Sequence, residues 1–203
     1  MNLTKNVTSI GELAFSECWT EGQSNLMITT EEGSYADTFA QAHNIPVQYE
    51  GQISEFEYIT VTTEWGNEIV ITGYETVANK VIIPKMMNGQ PVTVVSGGAF
   101  KNCTEMESVK MDSVCEIKEE AFAGCTNLKT ISLSEELWGI QDRAFAGCTA
   151  LTDVIIPESV TWMATNTFED CDLDKLVIYT KSEAAIAYAE IAGILCIDLR
   201  EQQ

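Results

Sequence analysis

The chain has 203 residues, 45% of them hydrophobic, so it can bury a sizeable core and is not a disordered sequence. Its 31 acidic and 11 basic residues give a net charge of −20, which disfavours nucleic acid and anionic lipid as partners. No apolar run approaches the roughly 18 residues of a membrane span, so we predict no membrane insertion. Residues 1–15 lack the apolar core of a signal peptide. The chain is therefore either cytosolic, or its export signal was removed or lies outside this sequence.

Residues 1–50 combine a short motif, which recurs later in the chain, with a helical pattern. Phe15 and Cys18 stand three residues apart, and the stretch GSYADTFAQAHNIPV follows. In that stretch Ser34 suits the N-cap of a helix, and Asn44 suits the left-handed residue after its end. We predict a coil here, then a short helix and a strand.

The next two segments have the patterns of a join and of strands. GQISE at 51–55 is the predicted join. Within 56–96, the runs FEYITVT, NEIVITGY and KVIIP alternate in the manner of strands, with turn signals GN at 66–67 and NG at 88–89.

Residues 97–181 repeat one unit, V-x-x-I-x-x-x-A-F-x-x-C-x-x-L-x-x-[VI]-x-[LI], every 22 or 23 residues. Its alternating tail predicts a short strand with one face inward, and the i, i+3 spacing of A-F-x-x-C predicts a single helical or 3₁₀ turn. Gly124 and Gly147 suit a tight bend. One unit cannot bury its apolar face alone, so the units are expected to stack and to align their Phe and Cys residues in columns. These columns contain Phe100, Phe122, Phe145 and Phe168, and Cys103, Cys125, Cys148 and Cys171.

Residues 182–203 repeat the helical pattern seen near the start. The stretch SEAAIAYAEIAGILC aligns with GSYADTFAQAHNIPV, so that Ala185 matches Ala36. Ser182 is the predicted N-cap, and Gly193 is the predicted left-handed residue after the helix. A second helix followed by a strand is therefore expected.

The stretches VTSIGELAFSEC, AFAGCTNLKTISL and AFAGCTALTDVIIPESV resemble the BspA-type leucine-rich repeats of bacterial surface proteins. The resemblance implies an α/β repeat fold: a strand-dominated, right-handed leucine-rich-repeat solenoid with short helical turns and a cap helix at each array end. The expected order is the last coil and C-terminal cap of a first array (1–50), a join (51–55), the opening strands of a second array (56–96), its repeats (97–181) and its cap helix and strand (182–203).

A coil and a cap are too small to fold alone, since roughly three repeats are needed. Residues 1–50 are expected to pack on the second array, on another copy by self-association, or on repeats upstream. The start of the chain inside a coil favours the last of these.

The repeated cysteine has four candidate roles: reactive thiol, metal ligand, disulfide partner or core residue. Stacked, parallel side chains have neither disulfide geometry nor the tetrahedral arrangement that zinc requires. We interpret the column as a buried ladder of thiols, to which Cys18 belongs, and Cys196 is also expected in the core. Cys115 belongs to an outward-facing column and is the predicted accessible thiol.

Little in the sequence favours an enzyme or a cofactor. The only histidine, His43, is expected in the last turn of the first helix, without a thiol nearby to form a dyad. Carboxylates abound, but stacked repeats offer no deep pocket. Asp170, Asp172 and Asp174 resemble the start of a calcium loop, yet Lys181 stands where the closing Glu should be. An EF-hand is rejected, and a weak surface Ca²⁺ site stays open.

Two tryptophans provide the best signal for an interaction. Trp138 and Trp162 fall at outward positions of adjacent repeats and would form a patch suited to a protein hot spot or a sugar ring. The alternative is packing against a neighbouring loop. Trp65 is expected in the opening hairpin and Trp19 in an insertion. A second candidate surface is the face of the repeat strands, which is either a shallow binding face or simply solvated, with Ser108, Lys110, Thr130, Ser132, Asp153 and Ile155.

The resemblance implies a non-catalytic binding or adhesion module of a bacterial surface or secreted protein. Its expected partners are host proteins, cells or glycans, contacted through the solenoid surface outside the cell. The alternative is a structural spacer, or a carbohydrate-binding appendage, of a larger exported protein.

Overall fold

The computed structural model describes residues 28–30, 35–42, 47–49, 56–75 and 77–200. Strands dominate this part of the chain, and the helices are α1 (Tyr35–Ala42) and α2 (Glu183–Ala192). Neither of these helices is long and apolar enough to cross a membrane. The strands are β1 (Ile28–Thr30), β2 (Val47–Tyr49), β3 (Phe56–Thr63), β4 (Gly66–Tyr74), β5 (Lys80–Ile83), β6 (Met86–Met87), β7 (Gln90–Val95), β8 (Ser108–Met111), β9 (Glu116–Ile117), β10 (Thr130–Ser132), β11 (Gly139–Ile140), β12 (Asp153–Ile156), β13 (Trp162–Met163), β14 (Val177–Thr180) and β15 (Leu195–Asp198).

Successive repeats are joined by parallel strand pairs on two sides. On one side, sheet I has the order β13-β11-β9-β7-β4-β3, with β6 also paired to β7. On the other side, sheet II has the order β10-β8-β5 and sheet III the order β12-β14-β15. Strands β10 and β12 lie side by side, but no pairing joins them within the described residues. Each repeat therefore contributes one strand to sheet I and one to sheet II or III.

The A-F-x-x-C segment forms no α-helical turn, and its local hydrogen bonds span three residues, as in the 3₁₀ turn that its spacing also allowed. In one repeat, the amides of Ala123 and Cys125 donate to the carbonyls three residues earlier, at 3.0 and 3.3 Å. The amides that alternate with these are directed to the next repeat instead. That of Phe122, for example, donates to the carbonyl of Ala144 at 2.8 Å. The reason is a left-handed residue on either side, since Glu120 has φ 55° and Gly124 φ 76°. The segment is a series of β-turns whose alternate amides bind neighbouring repeats.

The bend before each repeated cysteine is left-handed. Gly124 and Gly147 have φ of 76° and 69°, and Asn102 and Asp170 occupy the same place in other repeats with φ of 62° and 59°. Glycine, asparagine and aspartate are the residues that best tolerate this conformation. The position is therefore set by backbone geometry and not by side-chain chemistry.

The core is organised around one stack of aromatic rings. Consecutive ring centroids of the four repeated phenylalanines are 4.9, 5.3 and 5.5 Å apart, and their planes are within 16° of parallel. Tyr74 covers one end, 5.3 Å from Phe100, and Tyr188 covers the other, 6.0 Å from Phe168. Stacked rings of this kind stabilise beyond the area they bury.

The two helices bury equivalent faces. In α2, Ser182 accepts the amide of Ala185 at 3.1 Å, and Gly193 after the helix has φ 71°. Ser34 and Asn44, the matching predictions for α1, lie outside the described residues. Strand β2, after α1, lies beside β6. The buried residues are Ala185, Tyr188 and Ala189 in α2 and their counterparts Ala36, Phe39 and Ala40 in α1.

Candidate binding surface

The repeated cysteines line the interior next to the aromatic stack. The thiol of Cys125 donates to the carbonyl oxygen of Phe100 at 3.1 Å, and that of Cys171 to Phe145 at 3.1 Å. Burial raises the pKa of Cys103 and of Cys171 from 9.0 to about 11. A nucleophile or a metal ligand must be a thiolate, so these protonated thiols are poor candidates for either role.

Cys115 and Cys196 are half-buried, whereas Cys125 and Cys148 in the ladder are fully buried. The pKa of Cys115 is raised by burial, and further by Glu136 and Glu68. Cys115 is thus a protonated thiol on an outward-facing column, and it is half-buried, as Cys103 and Cys171 are. Cys196, expected in the core, is half-buried on β15 and packs against the core. Cys18 lies outside the described residues.

Both candidate tryptophans lie on the outer face of sheet I. Trp138 is 46% exposed and directly precedes β11, and Trp162 is 47% exposed and begins β13. Trp162 pairs in register with Gly139. A Cβ atom on Gly139 would lie 3.8 Å from Cε3 of Trp162, an ordinary contact distance, so the indole lies beside Gly139. The two indoles therefore stand on adjacent strands, one residue apart along the strand direction.

This outer face, which we call the Trp face, extends across the whole of sheet I in two rows. Strand register and the hydrogen bonds of Cys115 to Thr93 and of Trp138 to Cys115, at 2.7 and 2.9 Å, define the rows, and the hydroxyl of Thr93, which donates to Glu68, joins β4 to the second row across the bulge. One row is Ile59, Val70, Val94, Glu116, Gly139 and Trp162, and the other is Val61, Glu68, Thr93, Cys115, Trp138 and Thr161.

Hydrogen bonds fix the carboxylates in the middle of the Trp face. Glu68 accepts the hydroxyl of Thr93 at 2.8 Å and that of Thr63 at 3.2 Å. Glu116 accepts the amide of Gln141 and pairs with Lys118, whose Nζ is 2.6 Å away. The face thus has aromatic rings at one end and positioned acidic groups at its centre.

The second candidate surface changes character along its length. Its expected small and polar residues lie on β8 and β10, but the outer face of sheet III is apolar apart from Asp153. Ile155 is 65% exposed and lies in register with Tyr179, which pairs with Ile197. Leu195 beside them is 62% exposed. This extension was not predicted, although the alternating runs VIYT and LCID continue the column that contains Ile155.

The remaining candidates are not brought together into a site. Asp170 faces Arg143 at 3.9 Å, and Asp172 pairs with Lys175 three residues on. Within the part of the chain that the structure describes, no group of three or more His, Cys, Asp and Glu residues could hold a metal ion. Trp65 is 86% exposed at the turn between β3 and β4. His43 and Trp19 lie outside the described residues.

A family model described as "BspA type Leucine rich repeat region" matches residues 74–189 in six copies. Among solved structures, a leucine-rich repeat protein of T. pallidum is 27% identical, with a TM-score of 0.51 over 63% of this chain and 69% of that one. A leucine-rich repeat protein from Bacteroides capillosus is 33% identical, with a TM-score of 0.52 over 61% of this chain and 93% of that one. No curated protein matches the chain.

Proposed function

This chain belongs to the BspA-type leucine-rich repeat family, and we propose that it is a non-catalytic binding module of a bacterial cell-surface or secreted protein. The observation that carries the proposal is the exposed pair Trp138 and Trp162 on a hydrogen-bonded sheet. Covering a solvent-exposed indole with a ligand lowers the free energy, and tryptophan dominates the energetics of many interfaces. The raised pKa values of Cys103, Cys115 and Cys171 keep these thiols protonated, which disfavours them as nucleophiles.

The test compares binding of the wild type and of W138A/W162A to an array of extracellular-matrix proteins and glycans. We expect the wild type to bind at least one ligand and the double variant to lose it. Trp65→Ala is the matched control, because Trp65 is also exposed but lies in the turn between β3 and β4, at the opposite end of sheet I from the two tryptophans. Equal binding by the double variant and the wild type would contradict the proposal. No binding by the wild type to any ligand would favour the spacer role instead.

We also propose that the repeats wind as a right-handed solenoid, because parallel strands with crossover connections are right-handed almost without exception. Residues 1–50 would end a first array, 51–55 would join it to the opening at 56–96, and 182–203 would close the second. The shared buried pattern of α1 and α2 supports two closures. Light scattering of the full chain over a concentration series tests self-association through residues 1–50, which predicts a mass that rises with concentration.

A further inference from the structure

We infer that the Trp face binds an extended, cationic protein segment that carries arginine or lysine. This inference rests on the proposed function and names the chemical class of its ligand. It depends on three properties of the face: its charge, the chemistry of its exposed rings, and its length.

The charge of the Trp face is negative and only partly compensated. Glu68 and Glu116 lie in its two rows, and Glu136 is close enough to Cys115 to raise the pKa of that thiol. Nζ of Lys118 lies 2.6 Å from Oε2 of Glu116, so this lysine neutralises the carboxylate of Glu116. It does not compensate the charges of Glu68 and Glu136. Glu68 accepts its hydrogen bonds from the neutral hydroxyl groups of Thr63 and Thr93. A cationic ligand complements this surface, whereas an anionic ligand is repelled by it.

The exposed rings favour the same ligand. A guanidinium or ammonium group is attracted to the face of an indole, and guanidinium stacks on it well. Trp138 and Trp162 leave nearly half of their surfaces free, and Glu116 on β9 lies in register with Gly139, the residue after Trp138. A single arginine can therefore contact an indole while a second reaches Glu68 or Glu136. A neutral sugar would also stack on the rings but would gain nothing from the net negative charge.

The length of the face sets the length of the segment. The row from Ile59 to Trp162 crosses six strands, and five intervals of about 4.8 Å make about 24 Å. An extended segment of about seven residues, at about 3.4 Å each, covers this distance. Exposed Ile59 and Val61 at the far end would contact an apolar residue of the segment.

The experiment titrates the full chain with a peptide of alternating arginine and glycine, about nine residues long so that it spans the face with a margin. The same peptide with glutamine in place of arginine, and a neutral β-linked glucose oligosaccharide, are titrated in parallel. Tryptophan fluorescence and calorimetry report binding at low and high salt. The variants are W138A/W162A, E68Q/E136Q and, as an equal-charge control away from the face, E105Q/E190Q.

We expect the arginine peptide to bind, and the glutamine peptide to bind at least about tenfold more weakly. W138A/W162A should lower the affinity for the arginine peptide about tenfold, E68Q/E136Q several-fold and E105Q/E190Q less than about twofold. High salt should weaken binding because the charges are partly exposed.

Equal losses in E68Q/E136Q and E105Q/E190Q, or full binding by W138A/W162A, would overturn the inference, since attraction to overall charge would then suffice. Binding of the oligosaccharide, but not of the arginine peptide, through the tryptophans would overturn it and leave the proposed binding function intact. If the wild type binds none of these probes and nothing on the protein and glycan array, both proposals fail.

Discussion

The hydroxyl of Tyr188 accepts the backbone amide of Phe168 at 3.2 Å, at the place where the next repeat would supply a carbonyl. In the inner repeats the equivalent amide of Phe122 donates to Ala144, and that of Phe145 to Thr167. The helix α2 thus brings one side chain that both covers the aromatic stack and satisfies the last unpaired amide in its row. Termination of the repeats is accomplished by a single residue.

Tyr188→Phe should therefore destabilise the protein although it keeps the ring. The buried amide of Phe168 loses its acceptor, and we expect a loss of about 1–3 kcal/mol in the free energy of unfolding. Urea denaturation followed by circular dichroism measures it. The matched control is Tyr179→Phe, on the half-buried outer face of β14, where a change within about 0.5 kcal/mol is expected. Equal effects at the two positions would show that the hydroxyl of Tyr188 does not act as a cap.

Alanine should have opposite effects at two glycines. Gly147 has φ 69°, so Gly147→Ala places a Cβ in a left-handed residue and should cost about 1–2 kcal/mol of stability. At Gly139 a Cβ would make only ordinary contacts at 3.8 Å, so Gly139→Ala should raise stability by about 0.4–1 kcal/mol by restricting the unfolded chain. Thermal and urea unfolding of both variants check the two signs. A loss at Gly139 would mean that the indole of Trp162 cannot accommodate the methyl group.

Gly124 should be more sensitive than Gly147, because it has a neighbour. A Cβ there would come within 2.3 Å of Oδ1 of Asn102, besides adopting φ 76°. We expect Gly124→Ala to cost more than Gly147→Ala, and Asn102→Gly to remove the difference, since glycine keeps the left-handed backbone at 102 without the amide. Unfolding free energies of the two single variants and the double variant form the cycle. Additive effects in that cycle would indicate that the amide of Asn102 moves aside freely.

The buried thiols predict a loss of stability at alkaline pH. The unfolded chain releases their protons near the ordinary pKa of 9.0, whereas Cys103 and Cys171 in the folded chain keep theirs until about pH 11. Between these values the folded state binds more protons, so the free energy of unfolding falls as pH rises, and the contribution is complete only below about pH 9. Urea unfolding at a series of pH values measures this slope. C103A/C171A is the control. If the free energy of unfolding of this variant falls with pH as steeply as that of the wild type, the loss of stability comes from lysine or tyrosine instead.

The same thiols should react slowly in the native protein. A pKa two units above the ordinary value leaves about a hundredfold less thiolate at neutral pH, and burial limits access further. We expect a colorimetric disulfide reagent to label the native protein slowly and the denatured protein fast at all seven cysteines. Rapid labelling of more than about two cysteines in the native state would contradict a buried ladder.

The repeat period predicted the family and the strand-dominated architecture, because each repeat presents the same apolar positions to its neighbours. The period carries less information about the backbone between strands. An i, i+3 spacing of Phe122 and Cys125 fits a helical turn and a series of β-turns equally well, and only the left-handed residues distinguish them. Glu120 gives no such signal, since glutamate is not a residue typical of φ 55°.

The surfaces were harder to predict than the core. The outward position of Trp138 follows from its column, but its row with Glu68 depends on the bulged register between β4 and β7. Sequence alone does not reveal that bulge. Likewise, the apolar outer face of sheet III arises from β14 and β15, where the repeat loses a residue after Cys171 and the period no longer aligns the columns. Register irregularities, more than composition, limited the prediction of the candidate sites.

The missing pairing between β10 and β12 has a mechanical consequence. Sheet I is hydrogen-bonded without a break from β3 to β13, whereas the opposite side is divided into sheets II and III. A load that bends the molecule toward sheet I opens the divided side, where no strand pairing joins β10 to β12 in the described residues. The molecule is therefore stiff along one edge and compliant along the other, and it bends most easily between β10, which ends at Ser132, and β12, which begins at Asp153.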